Sequence, residues 1–161
     1  MKLKVFMMLV SVALCSYAYA SEPSWITTVD NKDKTSTWMC FQNEFDMQDI
    51  PQNALTRIAA DSKYWLWING NLVVREGGVK RGPNPEDSYC DAVDMSPYLH
   101  KGKNLVSALV WYFGKQGFSY NPSGKGAFFM SCEYLPELNT GNNWKGQLHP
   151  AFYMPDQTIP N

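Results

Sequence analysis

The run from Ala59 to Val74 reads as a strand, a tight turn and a second strand, and it constrains the fold more than any other stretch. The first strand is apolar on both faces at a period of two, with Tyr64, Leu66 and Ile68 on one face and Trp65 and Trp67 on the other. Asn69-Gly70 then supplies the positive-φ residues that a two-residue hairpin turn requires. Such a strand is either covered on both sides or shows its aromatic residues to a ligand.

Short segments of β-favouring residues recur along the chain, separated by loops that contain Gly, Pro and Asn. Together with the hairpin, the predicted strands lie in 37–45, 54–60, 89–94, 105–113, 127–134 and 144–148. The strand at 105–113 is the most hydrophobic one after residue 20 and is expected at the centre of a sheet. No amphipathic helix of three turns is found. The pattern predicts an all-β fold, an antiparallel β-sandwich of the jelly-roll or galactose-binding-like kind.

The N-terminus has the form of a secretory signal peptide. Lys2 and Lys4 precede an apolar run at 5–14, and Ala18-Tyr19-Ala20 has the small-x-small form of a cleavage site. We expect cleavage after Ala20 and export to the periplasm or the exterior. A lipid anchor at Cys15 is disfavoured because the bulky Leu14 stands where a small residue is expected.

The rest of the chain is predicted to form one domain. We expect a signal peptide at 1–20, an N-terminal extension at 21–36, the sandwich at 37–149 and a linker-like tail at 150–161. The formal net charge is −1 and no basic tract is present, so nucleic acid is not an expected partner. No apolar run after residue 20 is long enough to cross a membrane.

The cysteine and histidine pattern supports neither a disulfide framework nor a zinc site. Three cysteines follow the predicted cleavage site, Cys40, Cys90 and Cys132, and an odd number argues against a dedicated set of bridges. Cys40 and Cys132 lie in apolar runs, where a cysteine behaves as a small core residue. No metal-ligand spacing of Cys or His occurs, so neither a metal nor a cofactor is predicted.

Acidic residues cluster around the loop at 76–88, but they form no catalytic motif. Glu86, Asp87, Asp91 and Asp94 could supply the paired carboxylates of a glycosidase, although clustered acids beside loops usually bond turn amides. Asp91 and Asp94 could alternatively hold calcium, yet no loop of recognisable spacing is present. No nucleophile elbow and no phosphate loop is found, and no catalytic residue is assigned.

Aromatic residues are the unusual feature of this chain. An exposed Trp or Tyr can carry the C–H face of a sugar while Lys, Arg and Asn bond its hydroxyls, whereas aromatics in strands more often serve the core or an interface. Trp111 and Tyr112 are neighbours in one strand, so one must face inward and the other outward. The candidates for carbohydrate binding or for a domain interface are Trp65, Trp67, Lys80, Arg81, Asn84, Trp111, Tyr112, Lys115 and Phe118.

Several segments resemble the N-terminal β-sandwich domain of bacterial α-L-rhamnosidases, glycoside hydrolase family 78. The resemblance rests on Trp38–Phe41, on Ile58–Gly70, on the Lys-Arg-Gly-Pro-Asn-Pro loop at 80–85 and on Trp-Tyr-Phe-Gly-Lys at 111–115. Asn143-Trp144-Lys145 stands where such a domain closes, and the likeness covers about residues 25 to 155.

This resemblance implies a non-catalytic accessory module that packs on, or assists, a catalytic α/α-barrel. The family's catalytic residues belong to that barrel and match no position here, so the chain alone is not expected to be an enzyme. A free-standing module that binds rhamnose-containing plant glycans is the alternative, and a self-standing glycosidase is a more distant one. The expected partner is therefore either a catalytic glycosidase domain or a carbohydrate.

Overall fold

A computed structural model describes residues 22–28, 35–78, 89–114 and 123–152. These residues contain eight strands and two single-turn 3₁₀ helices, Ser96–Tyr98 and Pro136–Leu138. The strands are β1 (Thr37–Met47), β2 (Leu55–Asp61), β3 (Lys63–Ile68), β4 (Asn71–Gly78), β5 (Asp91–Asp94), β6 (Gly102–Tyr112), β7 (Ala127–Cys132) and β8 (Lys145–Leu148). The predicted signal peptide at 1–20 lies outside the described residues.

The strands form two antiparallel sheets, one of five strands in the order β4-β3-β6-β1-β8 and one of three in the order β5-β2-β7. This confirms the predicted all-β sandwich. The hydrophobic strand β6 occupies the centre of the five-stranded sheet, as its composition predicted. β1 and β6 extend beyond their predicted ends because they pair along their whole length, as far as Met47 opposite Gly102.

Alternating side chains of both sheets fill the core between them. On β3 the inward set, Tyr64, Leu66 and Ile68, is completely buried, whereas Trp65 and Trp67 point outward and stay partly exposed. The ring of Phe128 on β7 crosses from the smaller sheet, with its centroid 5.9 Å from that of Phe41 and 5.8 Å from that of Tyr64. The first strand of the hairpin is therefore a core strand on one face only.

The predicted turn joins β3 to β4. Asn69 and Gly70 have φ of 51° and 82°, the paired positive values of a hairpin turn. The Asn69 side chain also accepts a hydrogen bond from the Leu105 N–H and donates one to the Asn104 side chain, at 2.9 and 2.8 Å. Asn69 therefore fixes the turn against the start of β6, a contact that the turn sequence alone did not predict.

The chain passes from the smaller sheet to the larger one at Asp61-Ser62, so Ala59 and Ala60 belong to β2 rather than to the hairpin. The Asp61 carboxylate is buried and accepts hydrogen bonds from the hydroxyls of Ser62 and Ser123. The Ser62 hydroxyl accepts one from the Phe113 N–H at 3.0 Å. This buried polar group fixes the crossover, because a buried carboxylate is tolerated only when it is hydrogen-bonded.

Part of the predicted N-terminal extension packs along β7. Ile26 and Phe128 exchange two backbone hydrogen bonds of 2.9 Å, and the Ser24 N–H donates to the Thr140 carbonyl at 2.8 Å. The Trp25 ring lies 5.3 Å from that of Phe129. Interactions of the sandwich thus begin well before residue 37.

The cysteines lie in three different environments. Cys132 is buried in the core, as predicted, whereas Cys90 is exposed. Cys40 faces outward from β1, which its apolar neighbours did not predict, and burial by adjacent side chains raises the pKa of its thiol. In the part of the chain that the structure describes, no helix is long and apolar enough to cross a membrane.

We expect Asn104→Ala to lower the free energy of unfolding by about 2–3 kcal/mol, because it removes several hydrogen bonds made by a buried side-chain amide. The buried Asn104 amide donates to the carbonyls of His100 and Gly102 and accepts from the His100 N–H. Urea unfolding measures the change. The matched control is Asn71→Ala, which removes one long hydrogen bond of 3.4 Å from an exposed turn. Equal losses in the two variants would contradict the role assigned to Asn104.

Candidate functional site

The outer face of the five-stranded sheet carries aromatic side chains in consecutive rows. Antiparallel register places Lys63, Trp111 and Trp38 side by side in the first row. Trp65, Leu109, Cys40 and Gln147 form the second row, and Trp67, Ser107, Gln42 and Lys145 the third. Side chains that share a row lie close enough to touch. Apart from Lys63 and Ser107, the sheet thus combines an apolar half, on β3, β6 and Trp38 at the start of β1, with a polar half, at Cys40 and Gln42 of β1 and on β8.

Three tryptophans form the centre of the apolar half, and we call Trp38, Trp65 and Trp111 the tryptophan cluster. The Trp38 ring lies nearly parallel to that of Trp111, with a centroid distance of 4.7 Å, and 5.6 Å from that of Trp65. Phe113 meets Trp111 edge to face at 4.6 Å. Because these rings stack on one another, less ring surface is free for a ligand than three separate tryptophans would offer.

The segment after β8 returns to this cluster. The His149 N–H donates a 2.8 Å hydrogen bond to the Trp38 carbonyl, and the Phe152 ring stacks on that of Trp38 with a centroid distance of 4.3 Å. The His149 ring lies 4.6 Å from that of Phe152. Phe152 is the last described residue and keeps 46% of its surface exposed. Residues 149–152 therefore cover part of the tryptophan cluster.

A second apolar area lies towards the hairpin turn. Trp67 is opposite Leu72 of β4, and Leu72 is 47% exposed. Leu105, which faces the same side from β6, is 40% exposed. Together with the tryptophan cluster these side chains make a contiguous apolar surface, and such a surface on a small domain marks an interface or a ligand site.

The structure brings together three of the predicted site residues, Trp65, Trp67 and Trp111, on one face. Tyr112 is a correction, because it points into the core with only 3% of its surface exposed and cannot meet a ligand. Strand alternation requires this once Trp111 faces outward. The remaining candidates lie outside the described residues, namely Lys80, Arg81, Asn84, Lys115 and Phe118.

Sequence reasoning missed Trp38 and Phe152 as members of this face. Trp38 alternates with Met39 and Phe41, which are buried, and that period of two was a readable signal that Trp38 points outward. Its place beside Trp111 follows from the register of β1 against β6, which the sequence does not display. Phe152 follows Pro150 in a segment without periodicity, and nothing in the sequence linked it to Trp38.

The acidic residues at 91 and 94 have structural partners. Asp91 accepts hydrogen bonds from the Tyr64 hydroxyl and from the Gly78 N–H, at 2.9 and 3.0 Å. Burial and the Asp91 carboxylate both raise the pKa of Tyr64, which therefore stays neutral and donates. Hydrogen bonds from the Ser96 N–H and hydroxyl, and from the Ala54 N–H, hold the pKa of Asp94 below its ordinary 3.8. Among the described residues, no three His, Cys, Asp or Glu side chains converge as a metal site.

No protein-family profile and no curated protein matches the chain. Solved structures do match. A rhamnosidase of glycoside hydrolase family 78 from Bacillus sp. GL1 superposes with a TM-score of 0.68 at 28% identity over 78% of this chain. The sandwich is similar to an accessory domain of family 78 α-L-rhamnosidases.

Two further rhamnosidases show the same fold at lower identity. The α-L-rhamnosidase of Aspergillus terreus superposes with a TM-score of 0.57 at 19% identity, over 80% of this chain. The Streptomyces avermitilis α-L-rhamnosidase, solved with L-rhamnose, gives a TM-score of 0.54 at 17% identity, over 81% of this chain. The chain spans only 13% of the Bacillus and Streptomyces proteins and 16% of the Aspergillus protein. The likeness therefore concerns one small domain of much longer enzymes.

We expect Phe152→Ala to expose Trp38 and to lower the free energy of unfolding by about 0.5–1.5 kcal/mol, the usual worth of an aromatic pair. Acrylamide quenching of tryptophan fluorescence should increase in the variant, and urea unfolding measures its stability. Tyr134→Ala is the control, because Tyr134 is 63% exposed and has no ring contact within the described residues. Unchanged quenching in Phe152→Ala would show that Phe152 does not cover the cluster.

We expect Asp94→Ala to lower the Tm at neutral pH, since Asp94 holds the Ala54 and Ser96 amides. A carboxylate with a depressed pKa stabilises the fold fully above its unfolded pKa, and this contribution is lost as the pH falls through its folded pKa. The Tm difference from wild type should thus stay constant down to about pH 5 and close in stronger acid. Asp49→Ala, which removes only an exposed ion pair with Lys101, is the control. A difference that persists below the folded pKa would contradict this account.

Proposed function

We propose that this chain is a non-catalytic accessory β-sandwich module of an α-L-rhamnosidase-like glycoside hydrolase. The observation that carries the proposal is the superposition on the Bacillus rhamnosidase, which covers most of this chain and a small part of that enzyme. A domain of this kind contributes by packing on a catalytic α/α-barrel and supporting its substrate site. Catalysis would then belong to the barrel, and no residue of this sandwich is assigned a catalytic role.

The tryptophan cluster and the Trp67–Leu72–Leu105 area are the surface that we propose for docking on the barrel. Interfaces between domains are enriched in aromatic residues and depleted in charge at their centres. The cluster is close to this description, since Leu109 and Cys40 beside it are uncharged and the one charged neighbour, Lys63, lies at the end of the first row and pairs with Glu76 at 3.4 Å. A rigid stack also loses little side-chain entropy on docking, because the rings already hold one another in place.

The proposed partner and location follow from the same reasoning. The predicted signal peptide at 1–20 would export the chain to the periplasm or the exterior, where a glycosidase meets polymeric substrates. The division into a sandwich at 37–149 with flanking segments is retained as a proposal. The contacts of residues 22–28 and 149–152 support adding these segments to the folded module.

Carbohydrate binding by the sandwich itself is a second candidate function. It is favoured by one observation, the meeting of tryptophans with side-chain amides on a single sheet face. Aromatic surface combined with a few directional polar groups is the usual composition of a saccharide site. The two functions share the tryptophans, so a module docked through the tryptophan cluster would keep only the polar half of the outer face open to a sugar.

A chimera tests the docking function. Residues 22–152 of this chain would replace the matching domain of the Bacillus rhamnosidase. We expect the chimera to hydrolyse an aryl rhamnoside and to unfold at a higher temperature than a Bacillus enzyme from which the domain has been deleted. Trp65→Ser in the chimera should remove roughly 1–3 kcal/mol of that stabilisation, since interface aromatics dominate docking energies. The Tm from calorimetry measures the stabilisation, and turnover of the aryl rhamnoside measures the activity of the chimera.

The control is Leu55→Ser, which changes an apolar residue on the other sheet that is 49% exposed, and it should leave the chimera unchanged. A chimera no more stable than the domain-deleted enzyme would contradict docking. The purified chain by itself is expected to show no turnover of an aryl rhamnoside. Turnover that disappears when one Asp or Glu is changed would contradict the non-catalytic assignment.

A further inference from the structure

A cavity of about 300 Å³ opens on the polar half of the outer face, beside the tryptophan cluster. It is lined by Cys40 and Gln42 of β1 and by Lys145, Gly146 and Gln147 of β8. Cross-strand pairing sets Gln42 opposite Lys145 and Cys40 opposite Gln147, so two amides and one ammonium group surround the opening. Small-molecule sites begin at about this volume, which suits one sugar ring.

β8 is held in place at the base of this cavity by a close contact with the core. A Cβ atom on Gly146 would lie 2.8 Å from the Phe41 ring, so only glycine lets the strand approach this far. The close approach at Gly146 fixes the positions of its neighbours Lys145 and Gln147 beside β1. The polar side chains of the cavity therefore project from a fixed backbone rather than from a loop.

The polar groups of the cavity are largely unused within the described part of the chain. Gln42 donates one hydrogen bond of 3.3 Å to the Ser107 hydroxyl, and its carbonyl oxygen remains available. Neither Lys145 nor Gln147 makes a side-chain hydrogen bond or an ion pair with described residues. Three side chains thus present an ammonium group, an amide and an amide oxygen to a ligand.

The charge of this cavity is positive. Among the described residues that line it, Lys145 is the only charged one, and burial keeps the neighbouring Cys40 thiol neutral by raising its pKa. The next outward acid on β1, Glu44, already pairs with Lys103 at 3.2 Å. A carboxylate on the ligand would therefore find a free ammonium group and no competing acid among the lining residues.

We infer that this cavity binds a carboxylate-bearing saccharide, a uronic acid residue within an oligosaccharide. The Lys145 ammonium group would hold the carboxylate, while Gln42 and Gln147 bond ring hydroxyls. The row that runs from Gln147 through Cys40 and Leu109 leads to Trp65, so in a chain that is not docked through the tryptophan cluster a neighbouring sugar of the same oligosaccharide would reach an aromatic surface. This inference rests on the carbohydrate-binding candidate above and is independent of docking on a barrel.

Titration of the full chain with trigalacturonic acid, followed by calorimetry, tests the inference. We expect Lys145→Gln to weaken binding about tenfold or more, because a charge-assisted hydrogen bond is lost. Binding to the wild type should weaken as salt is raised. Lys125→Gln, which removes an ammonium group from the exposed segment before β7 and leaves the Glu44–Lys103 pair intact, is the control and should change the affinity less than about twofold. Far-ultraviolet circular dichroism checks that both variants are folded.

Three results would overturn the inference. The folded wild-type chain could fail to bind trigalacturonic acid at millimolar concentration, or Lys125→Gln could weaken binding as much as Lys145→Gln does, which would indicate diffuse attraction. Equally tight binding of the neutral trisaccharide maltotriose, unaffected by Lys145→Gln, would also overturn it while leaving the carbohydrate-binding candidate intact. None of these results bears on the rhamnosidase chimera, so failure here is distinguishable from failure of docking.

Discussion

The ring of Phe128 joins the two sheets, and the other features of the molecule depend on that contact. Phe128 comes from the smaller sheet and meets Phe41 of β1, Tyr64 of β3 and Trp144, which precedes β8. These contacts fix which face of each strand in the larger sheet is turned inward. Once Tyr64 and Phe41 face Phe128, Trp65 and Trp38 have to face solvent. The core and the exposed aromatic surface are thus two consequences of one alternation.

The outer face divides its chemistry along the strand order. β3, β6 and Trp38 at the start of β1 supply indole rings and leucines, whereas Cys40, Gln42 and β8 contribute a thiol, amides and a lysine. The apolar half suits a protein partner, because association with a protein is stabilised by the burial of apolar surface. The polar half suits a small hydrophilic ligand, because such a ligand is held by directional hydrogen bonds. A module with both halves can bind a partner domain and still keep a polar cleft open beside it.

Much of the fold could be predicted from the sequence, because strands and their turns have local signatures. The period of two, the Asn69-Gly70 turn and the central position of β6 could each be predicted from the residues of a single local segment. The division into sheets did not. β2 and β3 are separated by Ser62 alone, yet they belong to different sheets, and the buried hydrogen bonds of Asp61 that fix this crossover join residues about 60 positions apart.

The site was predictable to the same extent. Trp65, Trp67 and Trp111 could be selected because they are large aromatic residues within predicted strands. Tyr112 was included because a period of two shows that neighbours diverge without showing which one faces the core. Trp38, Gln42 and Lys145 join the face only through the register of β1 with its two neighbours, and register is a property of the folded sheet.

The pairing of Ile26 with Phe128 also affects how the molecule avoids self-association. β7 is the last strand of the smaller sheet, and its free edge would offer unpaired backbone groups to another chain. The segment at 22–28 occupies part of that edge and places the Trp25 ring over Phe129. A recombinant chain that began at β1 would leave this edge of β7 uncovered, and such chains would form oligomers by pairing strand to strand.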